Sequence, residues 1–296
     1  MLIFFLACSD ADIKDDTAQP IDATKSPGCG LDPVHAIGGT QSTIFVDDVE
    51  RSFYLSIPMS YDPEQLHRLV FGFSGTDWVG SQIQDYLGLE EYGTNTIFVY
   101  PDPLWRTFEG WGTYGGWLLG PHAYPAHGNE DLDFVEELLN TLSAQYCIDE
   151  QSVFATGHSW GGDMAQVVSC FLGDRFTATV PVAANRPYWF EDEQGRAISC
   201  SGDTAVWTMF GEADDHFTGQ SYPGEFGEEC RDFWVHERNC STQSNEFYLG
   251  EDLCFSYSDC DAEVRYCLYD EQYAHQIPWD YFSKSTMEWF ESFSPQ

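Results

Sequence analysis

Apolar and polar positions first fall into a regular pattern at residue 43. Segments 43–49 and 51–57 alternate or run apolar as an antiparallel pair of strands does, and 68–73 (Arg-Leu-Val-Phe-Gly-Phe) reads as a buried strand ending in Ser74-Gly75-Thr76. A further strand is predicted at 96–100. Segment 131–146 then places Leu132, Val135, Leu138, Leu139 and Leu142 at helical spacing, with acidic residues in its first turn where the helix dipole favours them. Apolar strands follow at 153–157, 178–183, 205–210 and 264–269. A helix-compatible stretch begins at Asp163, and an amphipathic helix closes the chain at 285–293. Strands alternating with helices imply an α/β architecture, a mainly parallel sheet with helices on both faces.

Two segments fall outside this alternation. Residues 101–129 hold Trp105, Phe108, Trp111, Tyr114, Trp117 and Tyr124 among glycines and prolines, too aromatic for disorder and too irregular for a regular element. The reading is an ordered insert over the site. Several of its rings must pack it onto the body, and Trp105, Trp111 and Trp117 are the candidates for lining a substrate cleft, because flat amphipathic rings suit sugars and aromatic acids. The second segment, 219–261, is rich in cysteine and is expected to be loop-rich and stapled.

The chemistry centres on Val153-Phe154-Ala155-Thr156-Gly157-His158-Ser159-Trp160-Gly161-Gly162. A β-branched, apolar run enters Gly-x-Ser-x-Gly and a helix leaves it, which is the strand, elbow and helix that present a serine nucleophile at a sharp turn. Ser159 is the candidate nucleophile. The backbone N–H of Trp160, in the first helical turn, is free to face a developing oxyanion. Such a serine needs a base and an acid to orient it, following in the order acid, then histidine. Gly211-Glu212-Ala213-Asp214-Asp215-His216 places carboxylates just after a strand; Asp214 is the preferred orienter, with Asp215 and Glu212 as alternatives. Among eight histidines, His158 is fixed within the elbow and His216 lies too close to the acid to bridge it to the serine. His122 and His127 lack neighbouring metal ligands. His275, between the last strand and the closing helix, is the candidate base.

Composition narrows the partners. Twelve basic against 49 acidic residues give a formal charge of −37, which would repel nucleic acid and anionic membrane surfaces. A chain this acidic, with three lysines, is expected to tolerate its self-repulsion best where salt screens it. The opening Met1-Leu2-Ile3-Phe4-Phe5-Leu6-Ala7-Cys8, followed by a polar acidic tract, reads either as a lipoprotein processing site that would leave a lipid anchor on Cys8 or as a plain signal peptide. No other apolar run is long enough to span a bilayer. Ten cysteines agree with export and disulfides, and with Cys8 set aside nine remain, so one is free or pairs between chains. The predicted organisation is a leader and acidic linker over 1–27 and a catalytic domain over 28–296. The chemistry calls for no metal or organic cofactor.

With these residues in place the chain resembles the secreted esterases of carbohydrate esterase family one, particularly type B feruloyl esterases and the related polyhydroxybutyrate depolymerase-like esterases. The carriers are Gly28-Cys29-Gly30, Arg51-Ser52-Phe53-Tyr54, residues 129–134, Cys147-Ile148-Asp149, the elbow, Gly211 to Asp214, and His275 with Pro278. The resemblance implies an α/β-hydrolase fold, the set Ser159, Asp214 and His275, and a Cys240–Cys260 bridge near the site. It implies hydrolysis of hydroxycinnamoyl or acetyl esters of plant polysaccharide; a polyester substrate, or a non-catalytic carbohydrate-binding surface lipoprotein, are the other readings. Where relatives carry Leu-His-Gly or Leu-His-Trp after the third strand, this chain has Phe73-Ser74-Gly75-Thr76. The backbone N–H of Thr76, or of Gly75, is expected to complete the oxyanion hole with Trp160, since a backbone donor does not depend on its side chain.

Overall fold

The structure, a computed structural model, describes residues 24–187, 190, 194, 196, 198–217 and 219–293. The opening apolar run and Cys8 lie outside the described residues. In chain order the elements are β1 (Gly38–Val46), β2 (Val49–Ile57), β3 (His67–Phe73), α1 (Gly80–Leu87), β4 (Thr96–Pro101), β5 (Leu104–Phe108), β6 (Gly112–Gly116), α2 (Glu130–Gln145), β7 (Ile148–His158), α3 (Trp160–Phe171), β8 (Ala178–Val182), β9 (Ala205–Gly211), α4 (Glu225–Glu237), β10 (Ser244–Leu249), β11 (Asp252–Tyr257), β12 (Val264–Tyr269) and α5 (Phe282–Ser292).

Ten strands form one sheet in the order β1-β2-β4-β3-β7-β8-β9-β12-β11-β10. The six central strands, from β4 to β12, run parallel, and antiparallel strands extend both sides. The period-two geometry of a strand sends successive side chains to opposite faces, and both faces are buried. Thus Leu69, Phe71 and Phe73 of β3 pack with Leu138 and Leu142 of α2 and Met164 and Val168 of α3, while Val70 packs on the other side with Ile83 of α1 and Met287 and Phe290 of α5. Near-continuous apolar runs in the sequence are the signature of such doubly covered strands.

The two irregular segments hold more regular structure than their sequences suggest. In the insert, β5 and β6 form a hairpin in which Leu104 faces Gly116 and Phe108 faces Gly112. Glycines in the second strand masked its pattern; Gly116 lets the hairpin lie against the Trp160 ring, which a Cβ there would meet at 2.6 Å. In the cysteine-rich segment, α4 covers the sheet while β10 and β11 extend it beyond β12 by antiparallel pairing. This segment is therefore sheet and helix rather than mainly loop. Its half-exposed edge strands lack the apolar run that marks a buried strand.

Four disulfides join Cys29 to Cys147, Cys170 to Cys200, Cys240 to Cys260 and Cys254 to Cys267; Cys230 is a buried free thiol. The insert is fixed by an ionic junction. Asp131, in the first turn of α2 and fully buried, accepts from Arg51 Nη2 of β2 at 2.6 Å, from Arg106 Nη1 and Nη2 of β5 at 2.9 and 3.0 Å, and from the Leu118 N–H at 2.7 Å. One carboxylate thus ties the hairpin to the sheet and to α2. Arg51 also lies over the Phe134 ring, 4.0 Å from its centroid. No helix among the described residues is long and apolar enough to cross a membrane.

Candidate active site

The central parallel strands all deliver their carboxyl ends to one edge of the sheet, where the candidate residues meet. β7 ends at His158, and Ser159 follows with φ 58° and ψ −122°, a conformation that non-glycine residues seldom adopt. The turn is possible because its neighbours lack side chains. A Cβ on Gly157 would lie 2.2 Å from the Gly161 oxygen, and one on Gly161 would lie 2.1 Å from the Phe73 oxygen. Ser159 therefore stands clear of the sheet at the start of α3.

Asp214 and His275 leave the adjacent strands β9 and β12, whose last residues Gly211 and Tyr269 are register partners. Gly211 permits close approach of the two loops, since a Cβ there would meet the Ala274 carbonyl oxygen at 2.1 Å. Asp214 is fully buried. Its Oδ2 lies 2.8 Å from His275 Nδ1, and its Oδ1 accepts the His216 N–H at 3.0 Å. An ionised carboxylate only accepts, so Nδ1 carries the ring proton and Nε2 is left as an acceptor. Ser159 Oγ lies 2.9 Å from that Nε2 and donates to it. Of the three carboxylates offered by the sequence, Asp214 is the one that reaches the imidazole.

Two of the histidines set aside in the sequence, His216 and His158, touch His275. The His216 ring stacks on it at 4.0 Å between centroids with an interplanar angle of 9°. His158 Nε2–H donates to the His275 carbonyl at 2.5 Å, which fixes the backbone beneath the imidazole. Burial, and then the neighbouring His275, hold the His158 pKa down to about 4. An unfolded imidazole takes its proton near pH 6.5, so the stability that neutral His158 contributes is complete above pH 6.5 and is lost as pH falls toward 4. The difference in unfolding free energy between the parent and His158→Gln is expected to shrink by about 2 kcal/mol between pH 7 and pH 5. Urea unfolding at the two pH values checks this; a difference that stays constant would refute it. Groups not coupled to His158 titrate equally in both proteins and cancel.

A cavity of 530 Å³ opens on Ser159, lined by Trp111, Tyr114 and Leu119 of the insert, Trp160, Asp163, Asn185 and Phe217, with Thr76 and His216 beside the nucleophile. Trp111 is the insert tryptophan that lines it. Trp117 does not: it is fully buried, and its Nε1–H donates to the Ser74 carbonyl at 2.8 Å, so it supports the loop after β3 from beneath. Trp105 is 65% exposed and lies on the hairpin away from the cavity walls. Alternation along β5 sends its ring outward. Tyr114, Phe217, Asn185 and Asp163 were not singled out from the sequence. Asn185 could have been sought just past the carboxyl end of β8, and Phe217 just past the acid loop; Asp163 shows only as a charge in an otherwise small and apolar helix start.

The loop after β3 runs alongside the elbow. A Cβ on Gly75 would sit 3.4 Å from the Ser159 Cβ, and the hairpin clamps the loop through Asp77 N–H to the Gly115 oxygen and Gly115 N–H to Asp77 Oδ1, both at 2.9 Å. Among the described residues the Thr76 N–H has no acceptor, and Trp160, as the first residue of α3, has no carbonyl four residues back in its own helix. Two backbone donors are thereby left unspent beside the serine. Among the described residues no group of three histidine, cysteine or acidic side chains is arranged to hold a metal ion.

No family profile matches the chain. Individual proteins do. Feruloyl esterase C of Emericella nidulans is 32% identical over 166 residues, covering 54% of this chain and 53% of that protein. The probable feruloyl esterase C of Aspergillus clavatus is 31% identical over 169 residues, 55% and 54% of the two chains. Over about half its length the chain is thus similar to feruloyl esterases. It spans about half the length of these curated relatives; feruloyl esterase D of Neurospora crassa is 25% identical over a longer 244 residues, 77% of this chain and 73% of that one. Among solved structures, acetyl xylan esterase from Aspergillus awamori superposes with a TM-score of 0.65 at 15% identity, covering 87% of this chain and all of that one. S-formylglutathione hydrolase from Agrobacterium tumefaciens gives 0.55 at 14% identity, covering 89% and 97%. The fold is that of the α/β-hydrolases.

Proposed function

We propose that the chain is a secreted serine carboxylic-ester hydrolase of the feruloyl esterase kind, cleaving hydroxycinnamoyl or acetyl esters of plant polysaccharide. The observation that carries this reading is the continuous hydrogen-bonded chain from Asp214 through His275 to Ser159, opening on an aromatic-walled cavity. Similarity to feruloyl esterases C and D supports the substrate class, and four disulfides fit an oxidising compartment.

In this reading His275 Nε2 takes the Ser159 proton as Oγ attacks the ester carbonyl, and the buried Asp214 carboxylate stabilises the imidazolium that forms. The N–H groups of Trp160 and Thr76 donate to the tetrahedral oxyanion. His275 then protonates the leaving alcohol. In the second half-reaction water gives a proton to His275, attacks the acyl-enzyme and releases the acid, and Ser159 recovers its proton. Trp111, Tyr114 and Phe217 offer flat surfaces to a planar acyl group or a sugar ring.

A serine-directed fluorophosphonate is expected to label folded protein at Ser159, located by peptide mass spectrometry, and to abolish turnover in proportion. Methyl ferulate, p-nitrophenyl acetate, p-nitrophenyl butyrate and a polyhydroxybutyrate suspension form the substrate panel. Turnover concentrated on methyl ferulate is the expected result. Clearing of the suspension without ferulate release would transfer the substrate to a polyester, and absence of labelling would remove the esterase reading.

A further inference from the structure

One polar group in the cavity has no part in the triad. Asp163 lies one turn of α3 beyond the nucleophile, is 5% exposed, and lines the cavity among Trp111, Tyr114, Trp160 and Phe217. Its Oδ1 accepts the Asn185 N–H at 2.7 Å. The other oxygen has no protein partner among the described residues and opens on the cavity.

The side chain is held from behind by a buried network. The Asn185 carbonyl accepts from the Cys230 thiol at 3.1 Å and from Gln166 Nε2 at 3.3 Å, and Gln166 Oε1 accepts from Trp234 Nε1 at 3.1 Å. Asn185 is thereby fixed by two buried side chains, one of them held in turn by Trp234, and Asp163 is fixed by Asn185. A polar atom held rigidly in a cavity wall is ready to pair with a bound ligand, and a ligand that strips water from it without replacing the hydrogen bond loses affinity.

We infer that Asp163 is a specificity-determining residue that hydrogen-bonds a hydroxyl group of the bound ester, on its acyl or its alcohol portion. The inference rests on the esterase reading above and names what that site selects. No cation pairs with Asp163 among the described residues, and burial pushes its carboxyl well above the usual carboxylate range, the Asn185 bond opposing this. Its Oδ1 keeps the Asn185 bond while the other oxygen faces the cavity, where it hydrogen-bonds the substrate hydroxyl, a group that can both donate and accept. A site with a fixed polar atom discriminates against the analogue lacking the hydroxyl, because binding that analogue leaves the carboxyl oxygen desolvated and unpaired.

The test uses two substrate pairs that differ by one hydroxyl: methyl p-coumarate against methyl cinnamate for the acyl side, and 2-hydroxyethyl acetate against ethyl acetate for the alcohol side. The parent is expected to favour the hydroxylated member of one pair by at least about tenfold in kcat/KM, and the responding pair identifies which portion Asp163 reads. Asp163→Leu is expected to bring that ratio close to one. Asp163→Asn, which keeps an acceptor for Asn185 and places an N–H donor in the cavity, is expected to retain most of it; a purely structural role would not move the ratio in this way. A parent that hydrolyses p-nitrophenyl acetate yet shows no preference in either pair overturns the inference and leaves the esterase reading standing, and this measurement requires no variant to fold. A folded Asp163→Leu protein with the parent's ratios overturns it equally. A parent that hydrolyses no ester removes the reading and the inference together.

Discussion

Replacing Ser159 with alanine is expected to lower kcat/KM on methyl ferulate and p-nitrophenyl acetate by about 10⁵- to 10⁶-fold, with the melting temperature nearly unchanged. Alanine is smaller than serine, and the space around the elbow is set by Gly157 and Gly161. The folded structure loses one hydrogen bond, Ser159 Oγ to His275 Nε2, at a site open to the cavity. Chemistry loses its nucleophile. The residual rate reflects the backbone donors of Trp160 and Thr76 and whatever binding the cavity provides. His275→Ala is expected to fall to a comparable level, and the double variant to be little worse than either, because the serine and its base act as one unit. Multiplicative losses in the double variant would show that the two do not act together; an active Ser159→Ala protein would place the nucleophile elsewhere.

Asp131→Asn is expected to destabilise the fold by about 3 to 5 kcal/mol, the cost typical of removing one partner from a buried ion pair. Here one carboxylate serves two guanidinium groups, Arg51 at 2% and Arg106 at 17% exposure, and asparagine fills the same volume without the charge. Arg51 then remains buried with carbonyl contacts to Glu130 and Asp102 and the Phe134 ring. The urea midpoint should fall accordingly. Since Arg106 and Leu118 belong to the insert that brings Trp111 and Tyr114 to the cavity, turnover of an aromatic ester is expected to fall at temperatures where the variant is still folded. An unchanged midpoint would mean that the junction contributes no net stability and that its role is confined to placing the hairpin.

The Asp131 junction also illustrates where a linear reading stops. In the sequence Asp131 is an acidic residue at the start of a helix, sufficiently explained by the helix dipole. In the fold it faces inward and accepts from β2, β5 and the insert. Nothing in the spacing of Arg51, Arg106 and Asp131 distinguishes a buried triad from solvated charges, because their separations along the chain are unrelated to their separations in space. Trp117 makes the same point from the apolar side. Its composition suits a cleft wall, but its indole is spent on Ser74 beneath the loop.

What the chain determined by itself is everything governed by local periodicity and steric need. Buried parallel strands must be apolar on both faces, so the central strands were legible as runs; an elbow must have glycine at 157 and 161, so Ser159 was legible as a motif; and chain order narrowed the acid to a short loop and the base to His275. Tertiary structure alone decided which carboxylate of that loop meets the imidazole, since Asp214 is buried against His275 while its neighbour Asp215 is exposed. It also decided that half-polar segments become sheet edges, where one face is solvated and the apolar signal halves. Last, it decided which rings wall the cavity and that Asp163 faces into it, because an aromatic ring or a carboxyl acquires its role from what the remainder of the chain places opposite it.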